Sequence, residues 1–172
     1  MAEDAVHHND RIDSDRIAIG DLLARYCDRL DAYDIDGVAA CFTDDARADY
    51  GPGRGGEIVS RQAIGDRIRD GQAAFRRTHH QLGHSTITFD GTLDGTFDGD
   101  DPTRAAAVTA AMTWHERWAG ERELLALRYV DELLRVDGVW LIDRRRVEIS
   151  IVDGFEGTSW YWWPRREPVD KA

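Results

Sequence analysis

Apolar residues recur at helical spacing early in the chain and alternate with polar ones later. Ile19, Leu22, Leu23, Tyr26, Leu30 and Tyr33 fall on one stripe, which predicts a helix from an Asp13 or Ser14 cap to about Tyr33. A short helix over "IDGVAACF" follows. In "ARADY", Ala46, Ala48 and Tyr50 alternate with Arg47 and Asp49, as in a half-buried strand. "GPGRGG" reads as a loop, and Ser60 caps a third helix with Ile64, Ile68, Gly71 and Phe75 on one side. "HSTITF", "AAAVTAAMTW", "ELLALRYVDELLRV" and "VWLIDRRRVEISI" read as strands, the last two joined through Asp137-Gly138, a hairpin signal. Helices first and an antiparallel meander afterwards is α+β order. The expected fold is a curved, mostly antiparallel sheet wrapped as a cone-shaped barrel around a long N-terminal helix, with three helices in all.

Three segments follow from this pattern: a polar, flexible N-terminus over 1–13, the α+β barrel over 14–153, and an aromatic C-terminal flap or interface arm over 154–172. The chain has 172 residues, enough for one domain with a core, and its net charge of −11 argues against nucleic acid and anionic membranes as partners. No apolar run approaches a membrane span and no secretory signal opens the chain, so Cys27 and Cys41 are expected to be reduced thiols of a cytoplasmic protein. Phosphate-binding glycine loops, nucleophile elbows and zinc-protease motifs are absent. No cofactor and no metal is expected. The acidic "DGTLDGTFDGDD" lacks calcium-loop spacing and reads as a hairpin loop.

Candidate chemistry gathers in three places. Asp34 lies 4, 7 and 11 residues beyond Leu30, Cys27 and Leu23, so it either extends the apolar helix face or faces solvent past the helix end, while Asp28 and Asp31 point further round. Tyr33 sits beside it. In "RTHHQLGHST", His79 and His80 point to opposite faces of a strand. Strict alternation puts His79 on the face of Ile87 and Phe89, whereas a bulge at Gly83 brings His80 inward. A strand also carries His84 too far from His80 for both to hold one ion. In "RRR", Arg145 alternates with Val147, Ile149 and Ile151, which points it into a cavity, where Asp34 or a substrate can pair with it. His115 and Asp131 are weaker candidates.

Together these pieces resemble the SnoaL-like enzymes of the nuclear-transport-factor-like superfamily, in the branch of scytalone dehydratase and hexachlorocyclohexane dehydrochlorinase. "YCDRLDAYD" resembles the end of their first helix and puts a Tyr-Asp pair on Tyr33 and Asp34. "ARADY" resembles the strand ending in an active-site tyrosine, here Tyr50; "RTHHQLGHSTI" puts the catalytic histidine at His80, and "DGVWLIDRRR" puts the cavity arginine at Arg145. The dehydratase's second histidine has no clear counterpart, the matching strand offering Met112 with His115 three residues on. The resemblance implies a cofactor-independent lyase, most simply a dehydratase, in which His80 and Asp34 abstract a proton while Tyr33, Tyr50 and Arg145 assist. His84, Met112, Tyr129 and Trp160 are the expected contacts to a small hydrophobic cyclic or polyketide-like substrate. An isomerase, a small-molecule binding module and a structural subunit like that of ring-hydroxylating dioxygenases share the fold. A homo-oligomer, trimer or dimer, is expected because "SWYWWP" is too apolar to leave in water.

Overall fold

The computed structural model describes residues 2–89, 103–154 and Tyr161, with side chains from Arg11 onward. Helix α1 spans Ala2–Asp31, α2 Ile35–Ala39 and α3 Arg61–Gln72. The strands are β1 Phe42–Asp49, β2 Glu57–Val59, β3 Phe75–Phe89, β4 Arg104–Arg117, β5 Arg122–Val136 and β6 Val139–Asp153. They form one sheet in the order β2-β1-β6-β5-β4-β3, antiparallel throughout except for the parallel β1–β6 pair. This is the expected α+β cone, a curved sheet left open rather than closed into a barrel.

The apolar stripe of α1 drives the arrangement. Ile19, Leu22, Leu23, Tyr26, Cys27 and Leu30 are all buried against the concave side of the sheet. The helix begins well before the expected Asp13 or Ser14 cap, because nothing between Ala2 and Ser14 is a glycine or proline that would stop it. Asp15, inside the helix, is buried. It accepts from Trp140 Nε1 at 2.9 Å and pairs with Arg135, fastening α1 to the β5–β6 hairpin. Ser60 caps α3 as expected, its hydroxyl accepting from the Ala63 amide.

Bulges bend the sheet. Leu82 pairs with Ala111 but Ser85 with Thr109, so β3 carries one extra residue between them, around Gly83. A second extra residue lies between Phe75 and Arg77. Strand β6 is bulged twice in the same way, between the partners of Glu132 and Leu133 and between those of Ala126 and Leu127. The second β6 bulge corrects one expectation: Arg145, Val147 and Ile149 point inward, but Ile151 turns out and is 59% exposed.

At the centre of the concave face Arg145 and Asp131, directly opposite on β6 and β5, form a two-pronged ion pair with both contacts at 2.8 Å and neither side chain exposed. The guanidinium lies between the rings of Tyr26 and Tyr129, 4.1 and 4.2 Å from their centroids. Arg145 was expected to meet Asp34 or a substrate; it is held by Asp131, its cross-strand neighbour. Truncating one partner leaves the other charge buried alone, so Asp131→Ala should cost about 3–5 kcal/mol. Urea unfolding of Asp131→Ala, Arg145→Ala and the double variant checks this, with the double variant losing less than the sum of the singles.

Candidate active site

A cavity of about 80 Å³ opens between α1, α3 and the concave sheet, with Tyr26, Tyr50, His80, Thr113, His115 and Tyr129 among its lining. Each polar group arrives by strand alternation or helix periodicity. On β4 the odd positions face inward, so Thr113 and His115 line the cavity. On β5 the same parity turns Tyr129 and Asp131 inward. On β3 the bulge at Gly83 lets His80 and Leu82 face the core below it while Ile87 and Phe89 face the core above it. His80 is therefore the inward histidine, its side chain 5% exposed, and His79 lies outside, stacked on Trp114.

The acid that meets His80 is Asp31. Its Oδ1 lies 2.6 Å from His80 Nδ1, its Oδ2 accepts the His80 backbone N–H at 2.8 Å, and the Thr78 hydroxyl donates to Oδ1 at 2.7 Å. Burial works to raise the Asp31 pKa, but the hydrogen bonds and charge of His80, with Thr78, outweigh it and hold the carboxyl below its ordinary value. Asp31 is the last residue of α1 and follows Cys27 by one helical turn. Nδ1 faces the carboxylate, so the opposite ring nitrogen, Nε2, is the one left for the cavity.

Asp34 does not take this place. The helix has ended before it: Tyr33 adopts a left-handed φ of 55°, and helical spacing no longer applies beyond Asp31. Asp34 instead caps α2, accepting from the Gly37 amide at 2.9 Å, and pairs with Arg29 at 2.8 Å near the surface. Tyr33 is also displaced from the cavity. It is 48% exposed and its hydroxyl donates to the Arg69 carbonyl.

Met112 faces the outside of the sheet at 41% exposure, since alternation on β4 sends it opposite to Thr113. His84 is exposed beyond the bulge and does not line the cavity. Trp160 and the whole acidic "DGTLDGTFDGDD" segment lie outside the described residues. Tyr50 and Tyr129 lie at the cavity wall. Among the described residues, no three His, Cys, Asp or Glu side chains come together in a way that could hold a metal ion.

His115 is the group that periodicity alone undervalued. Its ring lies 5.5 Å from that of His80 across the cavity and packs on Phe75. Burial, with the neighbouring His80 and Arg54, pushes its pKa down to about 3. Glu123 lies 3.8 Å from its Nδ1, but that carboxylate is engaged by Arg117. Burial also keeps the phenols of Tyr26, Tyr50 and Tyr129 protonated, against the pull of Arg145. The Thr113 hydroxyl is buried without a hydrogen-bond partner among the described residues, and the Tyr50 hydroxyl has that of Tyr26 beside it, so both can turn to a ligand. The site thus offers one carboxylate-bound imidazole, one neutral imidazole and neutral hydroxyl donors, enclosed by leucines and Ile149.

The low His115 pKa makes stability depend on pH. The folded state binds this proton less readily than the unfolded chain, where histidine titrates near 6.5. The stabilisation is complete above about pH 6.5 and is lost on acidification, at no more than about 1.4 kcal/mol per pH unit. Asp31 adds a loss of the same sign at lower pH. Chemical unfolding between pH 7 and 5 should show this decline, and His115→Gln should flatten it.

A family model for the SnoaL-like domain matches residues 13–146. Among solved structures, a protein from Novosphingobium aromaticivorans bearing the scytalone dehydratase name is 20% identical, with 97% of this chain and 100% of that one covered and a TM-score of 0.77. Hexachlorocyclohexane dehydrochlorinase LinA-type3 from Novosphingobium barchaimii is 19% identical, with 91% and 98% covered and a TM-score of 0.68. At these identities the likeness is one of fold. A search of curated protein sequences finds no match. The family match spans most of the cone, from α1 to β6, and the chain belongs to the SnoaL-like domain family.

Proposed function

We propose that the protein is a cofactor-independent lyase, a dehydratase of a small cyclic or polyketide-like hydroxy-carbonyl compound, with His80 and Asp31 as its proton-transfer pair. The observation that carries this reading is the 2.6 Å contact between Asp31 Oδ1 and His80 Nδ1, with His80 at the cavity wall. Asp31 fixes the tautomer with the proton on Nδ1, so Nε2 is the free base. In the proposed reaction Nε2 removes a proton from the carbon next to a carbonyl, and Asp31 offsets the imidazolium charge. The C–H electron pair forms the enolate, whose oxygen accepts hydrogen bonds from Tyr50 and Thr113. The enolate then re-forms the carbonyl as the β-hydroxyl departs, and the imidazolium gives its proton to that hydroxyl, so that water leaves. Delivery of the proton to another carbon instead would make the same site an isomerase. The names carried by the structural neighbours, a dehydratase and a dehydrochlorinase, favour elimination.

His80→Ala should lower turnover by about a hundredfold or more. Asp31→Asn should also be severe, because the amide removes the counter-charge and no longer fixes the tautomer. Tyr50→Phe should be milder, since Thr113 remains. Asp34→Asn should leave turnover near the parent value, because its carboxylate serves the surface. Loss of water from a panel of cyclic hydroxy-ketones, followed by mass, checks the order. Normal turnover by Asp31→Asn, or its loss in Asp34→Asn, would refute the pairing.

We also propose that the chain is a homo-oligomer. Met112, Trp114 and Ile151 stand 39–59% exposed on β4 and β6, and covering them removes apolar area from water. The mass in solution should exceed 19.5 kDa; a monomer at micromolar concentration would contradict this.

A further inference from the structure

The cavity at His80 has a volume of about 80 Å³. A cavity of about 150 Å³ holds one benzene ring, and small-molecule sites commonly measure about 300–1,000 Å³. The His80 cavity therefore admits the reacting end of a substrate and not a whole cyclic molecule. A second pocket, of about 350 Å³, adjoins it. Leu30 and Gln72 line both, so these two side chains form the partition between the two volumes. Asp31 and Thr78, the acid behind His80 and the hydroxyl that donates to it, line the second pocket. The dyad thus stands between the two spaces, with His80 lining one and Asp31 the other.

Tyr33, Phe75 and Trp118 give the second pocket aromatic walls. Trp118, on the turn between β4 and β5, is 70% exposed, yet its indole Nε1 donates to the Ala73 carbonyl at 3.1 Å and so holds the ring in place. The Tyr33 hydroxyl donates to the Arg69 carbonyl, in the last turn of the same helix α3. Aromatic faces fixed in this way gain apolar burial and ring contact when a flat ring covers them, with little ordering cost. The charges of the pocket are matched within it. Arg76 pairs with Glu116 at 3.6 Å, and Asp31, kept ionised, is a carboxylate on the same lining as Arg77. Gln72 is the part of the partition that gives way. It is the last residue of α3, half-buried and unbranched, whereas Leu30 is buried in the core.

We propose that the second pocket is a subsite for the distal aromatic ring of the substrate, which is then a flat compound of two rings whose carbonyl end passes Gln72 to reach His80. The distal ring lies against Trp118 and Tyr33. This inference rests on the proposed dehydratase for the reacting end and adds the substrate class for the remainder.

Phenol and 2-naphthol test it, since they share a hydroxyl and differ by one ring. Calorimetric titration of the whole protein should give 2-naphthol about tenfold tighter binding or more. Trp118→Ala, which removes a wall, should bring the two probes to within about threefold while leaving phenol unchanged. Ala73→Trp, at an exposed residue of the same lining, fills the pocket and should do the same. Gln72→Ala shortens the partition and should keep or increase the preference. Equal binding of the two probes, no binding of 2-naphthol at millimolar concentration, a preference that survives both Trp118→Ala and Ala73→Trp, equal losses for both probes, or loss of the preference in Gln72→Ala would overturn the inference. Its failure is separable from that of the proposed reaction. Dehydration of one-ring hydroxy-ketones without any 2-naphthol preference sinks the subsite alone. A 2-naphthol preference that both variants remove, with no dehydration of any one-ring or two-ring hydroxy-ketone, sinks the dehydratase alone.

Discussion

The buried pair Arg145–Asp131 is the constraint around which the concave face is organised. Taking two charges out of water costs several kcal/mol for each ion, and attraction offsets this only in good geometry. Here the geometry is a two-pronged contact at 2.8 Å between directly opposed residues, with two aromatic faces on the cation. A slip of one residue between β5 and β6 would send both charges to the wrong faces. The pair therefore fixes the register that also turns Tyr129, Leu127 and Leu125 inward from β5 and Val147 and Ile149 inward from β6. The floor of the cavity and the closure of the core depend on the same contact.

What that register fixes at the centre, bulges adjust at the edges. Strand β6 runs with even residues inward at Trp140 and Ile142, gains a residue, and continues with odd residues inward from Arg145. Strand β3 does the converse, with even residues inward at His80 and Leu82 and odd ones at Ile87 and Phe89 after its extra residue. Each bulge also bends the strand, which lets the sheet wrap α1, and the one at Gly83 delivers His80 to the cavity. The placement of His80 and the curvature of the sheet come from the same backbone irregularities.

This explains what could be seen in the sequence and what could not. The α1 stripe, the Ser60 cap, the β5–β6 hairpin and the inward Arg145 follow from periodicity and turn chemistry, and the structure has them. The choice between His79 and His80 hinged on one inserted residue, which alternation cannot reveal; Gly83 was the only local mark of it. Asp34 failed for a different reason. Its spacing fits the apolar face only if the helix continues, and the positive φ of Tyr33 shows that it does not. Periodicity sets Asp31 further round than the stripe, yet it lies one turn beyond the buried Cys27 and needs no extrapolation past the helix end. On β4 a correct parity would have selected Thr113 and His115 over Met112, but a strand with alanines on both faces gives little contrast to set that parity.

The two histidines are alike in sequence and opposite in electrostatic setting. His80 rests on a carboxylate whose hydrogen bonds keep it ionised. His115 has Glu123 close by, but Arg117 neutralises that charge, and Arg54 and His80 add positive potential on the other side. Two imidazolium ions with rings 5.5 Å apart in an apolar cavity would repel strongly. His115 is the member kept neutral, so a proton taken from carbon has one place to reside and one place from which to return. With the phenols also held protonated, the proton taken up by His80 would be the protein's one change of charge, balanced by the enolate. A site of this kind can move a proton between two atoms of a substrate without water or metal to absorb the charge, provided that the substrate is held with both atoms within reach of the same imidazole nitrogen.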